Sequence, residues 1–152
     1  MNEVVRVQHH VTYRAAVEAM QAGIAKADEL GVRAGIVVVD AFGEIVAAAK
    51  LDGANPKAWR GGLGKALVAS GLGMSTAEFI EKRLKNDDVL YRALSSNPDA
   101  MFVPGGYPLL YNGKSVGGVG VSGGHYDDDA KVAQAVAERY RDLVSACSND
   151  IP

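Results

Sequence analysis

A hairpin near the C-terminal end of the chain constrains its fold more than any other sequence feature. Residues 109–111 and 115–122 are β-prone runs, and Asn112-Gly113 separates them. Asparagine and glycine readily adopt the positive φ angles of a two-residue hairpin turn. We therefore predict two antiparallel strands here, the second of which ends at Gly123-Gly124.

A second hairpin is predicted earlier in the chain. Residues 34–40 and 44–51 are β-prone, and the turn between them ends in Gly43, which can take a positive φ. Residues 36–39 are apolar on both faces, which is typical of a central strand covered by helices on both sides. Residues 47–49 are three alanines, so the other strand leaves room for something to lie close.

A helix is predicted over residues 12–30, which are rich in helix formers. Thr12 is the predicted N-cap, and Gly31 stands where a left-handed C-cap residue belongs. A last helix is predicted over residues 130–147, whose apolar spacing covers a core. The three aspartates at 127–129 precede it and favour the positive end of its dipole.

The middle of the chain is also predicted to be helical. Residues 75–94 form one or two helices, because Ser75 and Glu78 make a capping-box pattern, and residues 95–107 form an ordered connection. The order helix, hairpin, helices, hairpin, helix predicts an α+β fold in which helices cover an antiparallel sheet. We expect residues 1–152 to form one domain, because this length is ordinary for a single core.

A glycine-rich stretch begins at Lys57 and also predicts a helix. Gly61, Gly62 and Gly64 together cost on the order of 2–3 kcal/mol of helix propensity relative to alanine. Such a cost implies that another backbone or a ligand approaches closely there. The alternative is a loop, with a short helix only after Gly64.

Composition and charge exclude several classes of protein. The chain is 48% hydrophobic and 22% charged with a net charge of −2, and it has no cluster of Lys and Arg, so we expect no nucleic-acid partner. No apolar run approaches the roughly 18–20 residues of a membrane span, and no basic segment followed by an apolar core stands at the N-terminus. Cys147 is the only cysteine, which suits a reducing compartment. We therefore expect a cytoplasmic protein.

Three ordered blocks resemble the GlcG/HbpS family, which includes the C-terminal domains of PduO proteins. The matching residues, which span nearly the whole chain, are 38–46 with 51–54, then 64–66, and finally 105–108, 112–113 and 117–124 with Asp129 and Ala133. The resemblance implies a profilin-like antiparallel sheet and a homo-oligomer, commonly an octamer. Members of the family are tied to haem or iron binding, to corrinoid metabolism and to operons that handle small organic acids in catabolism.

The chain departs from the family pattern at three places. Residues 68–70 read Val-Ala-Ser where the family tends to show Thr-Ala, Tyr107 replaces a smaller apolar residue, and His125 stands where Thr is common. A shared fold does not fix a shared ligand. The resemblance therefore predicts the fold more firmly than the function.

His125 follows Ser122-Gly123-Gly124 at the junction between the last strand and the last helix. Free backbone N–H groups at such a junction favour an anion such as a carboxylate. The imidazole is a candidate acid, base or axial haem ligand. The alternative is a polar capping histidine with no chemistry.

Arg60 and Lys65 are the candidate anchors for a ligand carboxylate or propionate, since they lie on the glycine-rich stretch beside Trp59. The alternative is that both are solvated helix charges. We predict that they face Gly105, Gly106, Tyr107 and the loop of His125, near a subunit boundary, and that these residues together bind the ligand.

The remaining motifs predict neither a metal site nor a nucleotide-binding site. His9 and His10 would point to opposite sides of an extended strand, and the aspartates at 127–129 lack the spacing of a calcium loop. The chain has no G-x-S-x-G elbow, H-E-x-x-H pair, Walker loop or dinucleotide turn.

Two functions remain open from the sequence. The first is a binding protein for haem, a related tetrapyrrole or another anionic planar ligand, which lies on the small residues of 47–49 and 117–120. The second is a cofactor-independent hydrolase, lyase or isomerase that acts on a small carboxylate or ring-cleavage product. In the second, the Gly123 and Gly124 amides would hold an oxyanion while His125 moves the proton, with Asp127 or Asp129 nearby.

Overall fold

A four-stranded antiparallel sheet with helices on both faces forms the centre of the protein. The computed structural model describes residues 4–149. The strand order is β2-β1-β4-β3. The elements in chain order are α1 (Tyr13–Leu30), β1 (Gly35–Asp40), β2 (Ile45–Lys50), α2 (Ala58–Leu72), α3 (Thr76–Phe79), a π-helical segment (Ile80–Leu84), α4 (Asp88–Ser95), β3 (Gly106–Tyr111), β4 (Lys114–Ser122) and α5 (Tyr126–Asn149). The predicted α+β fold is confirmed. Among the described residues, no helix is both long enough and apolar enough to cross a membrane.

Both predicted hairpins are present, and their turns have the expected backbone. Asn112 and Gly113 have φ angles of 50° and 74°, and Gly43 has a φ of 83°. Strand β3 begins at Gly106, three residues before the predicted start, because its first residues pair with Gly117–Gly120 of β4. Pro108 is tolerated within it, since β3 is an edge strand.

The helix caps follow the predicted chemistry. The Thr12 side chain accepts a hydrogen bond from the Ala15 N–H, and Gly31 is left-handed with a φ of 68°. The Ser75 hydroxyl accepts from the Glu78 N–H at 3.1 Å. Helix α5 begins at Tyr126, four residues before the predicted start, so the aspartates lie inside its first turn.

The two faces of the sheet hold two separate cores. Helices α1 and α5 cover the face that carries Ile36 and Val38 of β1, and α2 covers the opposite face at Val37 and Val39. This arrangement confirms that β1 is a central strand buried on both sides.

The glycine-rich faces of α2 and β4 pack against each other. Helix α2 runs continuously through its glycines, so the alternative of a loop before Gly64 is wrong. A Cβ on Gly62 would lie 2.9 Å from the Gly120 carbonyl oxygen, and one on Gly118 would lie 2.7 Å from the Ala66 carbonyl oxygen. The expectation that residues 117–120 form the floor of a ligand site is thereby corrected, because backbone of this chain covers Gly118 and Gly120.

Candidate functional site

The junction between β4 and α5 is shaped by a glycine that no other residue replaces easily. Gly123 has a φ of +139°, and a Cβ on it would lie 2.6 Å from the Arg33 carbonyl oxygen. The chain turns sharply there, and the His125 carbonyl accepts hydrogen bonds from the N–H groups of Asp128 and Asp129 at 3.0 and 2.9 Å. His125 therefore stands at the start of α5.

The His125 side chain is 58% exposed, and its two nitrogens have different surroundings. Its Nδ1 accepts a hydrogen bond from the Asp127 N–H at 3.2 Å, and an Asp127 carboxylate oxygen lies 3.7 Å from the same nitrogen. The ring lies against Tyr126, with centroids 4.1 Å apart. His125 thus makes the capping contact of the alternative without chemistry, and its exposed ring has no hydrogen bond at Nε2 from residues 4–149.

A cleft of about 350 Å³ lies beside this histidine, and we call it the His125 cleft. Its lining combines mostly small residues with one cation, one imidazole and one carboxylate: Leu30, Gly31, Val32, Arg33, Gly53, Asn55, Gly123, Gly124, His125 and Asp128. The predicted residues Gly123, Gly124 and His125 do come together here.

Arg33 is the residue of this cleft that sequence reasoning missed. Its guanidinium lies 3.5 Å from the Asp28 carboxylate, but both side chains are more than half exposed, so this pair is weak and leaves the cation available to an anion. Arg33 lies two residues before Gly35, and the pairing of Gly35 with Ser122 brings it beside the β4–α5 junction. Only strand pairing shows this proximity, since about 90 residues separate the two segments in the sequence.

Lys65 lies inside the protein, which corrects its expected placement on a ligand-facing surface. Its side chain and that of Asp129 are each only 2% exposed. The Lys65 ammonium donates to the Val121 carbonyl oxygen at 2.8 Å and to an Asp129 carboxylate oxygen at 3.3 Å. Burial lowers the pKa of Lys65, and the charge and hydrogen bond of Asp129 partly oppose that shift.

Asp129 connects this buried ion pair to the His125 cleft. Its second carboxylate oxygen accepts a hydrogen bond from the Gly124 N–H at 3.0 Å. Lys65 therefore fixes the loop before His125 through Asp129 instead of reaching a ligand in the cleft itself.

Gly105 and Gly106 pack against Lys65. A Cβ on Gly105 would lie 2.9 Å from the Lys65 ammonium, and the Gly106 N–H donates to the Thr76 hydroxyl at 3.0 Å. Both glycines are buried. Close packing against their neighbours is enough to explain why both positions are glycine. Their part in ligand binding stays a prediction.

The structure places Arg60, Tyr107 and Ser122 outside the lining of the His125 cleft. Arg60 is exposed, with its guanidinium carbon 5.5 Å from the centre of the Trp59 ring. Tyr107 lines a separate cavity of about 230 Å³ that includes Glu138. Burial raises the pKa of Tyr107, and the nearby Glu138 charge raises it further. Ser122 is half-buried at the end of β4, facing Gly61.

A protein metal site needs several ligating side chains close together. Within residues 4–149, the side chains of His, Cys, Asp and Glu form no group of three or more that could hold a metal ion.

Comparison with known proteins assigns this chain to a family. The family described as "Haem degrading protein HbpS-like" matches residues 11–138. The chain is 30% identical over 133 residues to an uncharacterized 15.0 kDa protein from the dhaT-dhaS intergenic region of Citrobacter freundii, covering 88% of this chain and 94% of that protein.

Solved structures agree with the observed fold. A double mutant of HbpS from Streptomyces reticuli matches with a TM-score of 0.80 and 27% identity, covering 91% of this chain and 92% of the other. A PduOC–heme complex has a TM-score of 0.76 at 22% identity, covering 86% and 94% of the two chains, a likeness that shows the fold alone. The match over residues 11–138 includes both hairpins and most of α5, so this chain belongs to the HbpS-like family.

Proposed function

We propose that this protein binds haem, or another anionic planar ligand, at the His125 cleft. The observation that carries the proposal is the exposed His125 imidazole in one cleft with the Arg33 guanidinium. The description of the family as haem-degrading and the haem complex of a protein with the same fold support the choice of ligand.

The residues of the cleft fit the chemical demands of haem. A histidine binds iron through Nε2 when its proton is on Nδ1, and a carboxylate that accepts a hydrogen bond from Nδ1–H makes the imidazole a stronger ligand. The Asp127 carboxylate lies 3.7 Å from Nδ1, so it would take that role if the ring exchanged its present contact, in which Nδ1 accepts from the Asp127 N–H, for a hydrogen bond donated to the carboxylate. Arg33 would supply a cation for a propionate, and Gly123 and Gly124, which have no side chains, would leave room for a planar ligand.

The size of the cleft implies that a porphyrin would be enclosed only in part by one chain. About 350 Å³ is near the lower end of small-molecule sites, which run from roughly 300 to 1,000 Å³. We propose that a second copy of the chain covers the rest of the ligand. Arg60, exposed on α2, is the proposed second anchor, and Lys65 is a positioning residue that holds the loop through Asp129.

Haemin titration tests the binding proposal. The wild-type protein is expected to give a sharp Soret band, and His125→Ala is expected to shift or abolish it because the axial ligand is lost. His9→Ala is the matched control, since His9 is also exposed but lies against Tyr111, away from the cleft. A broad spectrum that neither substitution alters would overturn the proposal.

Assembly is a second expected result. We propose a homo-oligomer, with the octamer as the expected form, because the chain exposes large apolar side chains such as Phe42, Val89 and Tyr126. Light scattering at micromolar concentration is expected to give a mass near eight times 15.9 kDa. A monomer mass would contradict assembly and leave the porphyrin only partly enclosed.

The enzymatic alternative is favoured by one feature, the approach of the Asp127 carboxylate to His125, which suits a proton-transfer pair. However, the Gly124 N–H already donates to Asp129, so it is not free to hold an oxyanion. A hydrolase, lyase or isomerase of small carboxylates would show turnover that His125→Ala removes and that needs no haemin.

A further inference from the structure

A further cavity, larger than the His125 cleft, is lined in part by α2. It has a volume of about 730 Å³ and lies between α2 and α4, and we call it the α2–α4 cavity. Most of its lining is apolar, and its three polar side chains are those of Arg83, Asn97 and Asp99. The other lining residues are Leu67, Val68, Gly71, Leu72, Met74, Phe79, Leu90, Leu94, Ala100 and Phe102. It shares no lining residue with the His125 cleft. Cavities of this size and composition are typical of small-molecule sites.

Helix α4 forms one wall of this cavity without filling it. None of its residues is buried, and it packs chiefly against the π-helical segment Ile80–Leu84. Its Leu90 and Leu94 side chains line the cavity. The apolar face of α4 is therefore turned toward an open space, which a ligand with a hydrocarbon part would fill favourably.

The positive charge at the cavity comes from Arg83. The two lysines nearest to Arg83 each pair with an acid one turn earlier, Lys82 with Glu78 and Lys85 with Glu81. The residue one turn before Arg83 is Phe79, which also lines the cavity. Within residues 4–149, the Arg83 guanidinium has no carboxylate within salt-bridge distance.

The acid one turn after Arg83 is also engaged elsewhere. The Asp87 side chain accepts a hydrogen bond from the Leu90 N–H at 2.9 Å and so caps α4. Asp99 is the one carboxylate among the lining residues, and it follows a tight turn in which its N–H donates to the Asn97 side chain at 2.9 Å. A ligand amine at Asp99 is therefore the competing chemistry.

We propose that the α2–α4 cavity binds an amphipathic carboxylate. Its hydrocarbon chain or ring would lie between α2 and α4, and its carboxylate would meet the unpaired Arg83 guanidinium at the rim. Arginine suits this role because its planar fork matches the two oxygens of a carboxylate. The site is independent of haem binding, since the two clefts have no residue in common.

Gly71 offers a way to block the cavity without harming the fold. It lies inside α2 and lines the cavity, and a Cβ on it would meet nothing within 4 Å. Because glycine is a poor helix former, Gly71→Leu should not weaken α2, while its side chain occupies the space of the ligand.

Calorimetric titration of the full chain with octanoate tests the proposal, with octylamine as the probe of opposite charge. We expect octanoate to bind the wild-type protein more tightly than octylamine does, and Gly71→Leu to weaken its binding at least tenfold with an unchanged unfolding midpoint. Arg83→Gln should weaken octanoate binding about fivefold, the size of an exposed ion pair. Arg92→Gln is the matched control, because Arg92 is an exposed arginine of α4 that does not line the cavity.

Three results would overturn the inference. They are no octanoate binding at millimolar concentration, binding that Gly71→Leu leaves unchanged, and octylamine binding that is the tighter of the two and depends on Asp99. None of them bears on haem at His125, so failure here and failure of the proposed function are distinguishable.

Discussion

Gly120→Ala is expected to destabilise the protein by about 3 kcal/mol or more, although it adds a single methyl group. A Cβ on Gly120 would overlap the Gly62 carbonyl oxygen and lie 2.5 Å from the Ala66 nitrogen. Both contacts are backbone atoms of α2, so no side-chain rotation relieves them and the whole helix must shift from the sheet. Urea unfolding followed by circular dichroism measures the loss.

The reciprocal substitution on α2 gives a sharper test of the same packing. Gly62→Ala should gain roughly 1 kcal/mol of helix propensity. Its Cβ, however, would lie 2.9 Å from the Gly120 carbonyl oxygen and 3.3 Å from that of Gly35, so we expect a net loss of stability. Gly71→Ala on the same helix meets nothing and should be neutral or stabilising. Equal gains at positions 62 and 71 would show that α2 does not rest on the glycines of the sheet.

Lys65→Met is expected to cost about 3–5 kcal/mol of unfolding free energy. The substitution leaves the Asp129 carboxylate buried without its cation, and only the Gly124 N–H remains as a partner. It also removes the donor to the Val121 carbonyl oxygen, which stays buried. A buried charge without compensation is far more costly than the net value of the intact pair.

A double-mutant cycle separates the ion pair from simple packing. Asp129→Asn keeps an oxygen for the Gly124 N–H but removes the charge, so Lys65→Met combined with Asp129→Asn should be much less destabilising than the sum of the single changes. Urea midpoints of the four proteins measure the coupling. Additive losses would mean that Lys65 serves only to fill volume.

Local chemistry was sufficient to predict most of the secondary structure. The caps at Thr12 and Gly31 and the Asn112-Gly113 turn depend on backbone preferences of the residues themselves, so they could be recognised without the fold. The four apolar residues of β1 likewise indicated burial on both faces, because alternation fails only when both sides of a strand are covered. The start of α5 was missed by four residues, since the His125 cap acts through the backbone and through Nδ1.

The candidate site was predicted only in part. Gly123, Gly124 and His125 are contiguous in the sequence and meet in one cleft, whereas Arg33 reaches it through the pairing of β1 with β4. The glycine cost in α2 correctly indicated close approach, but it could not distinguish a ligand from the backbone of another element.

The tertiary structure alone decided the position of Lys65. A lysine on a helix is ordinarily solvated, and nothing near it in the sequence shows that Asp129, 64 residues later, meets it in the interior. The glycines of α2 and β4 let the helix lie very close to the sheet. The Lys65 ammonium is therefore buried, where it donates to the Val121 carbonyl and the Asp129 carboxylate. Burial depends on the distance between two packed layers, a quantity that neither layer specifies by itself.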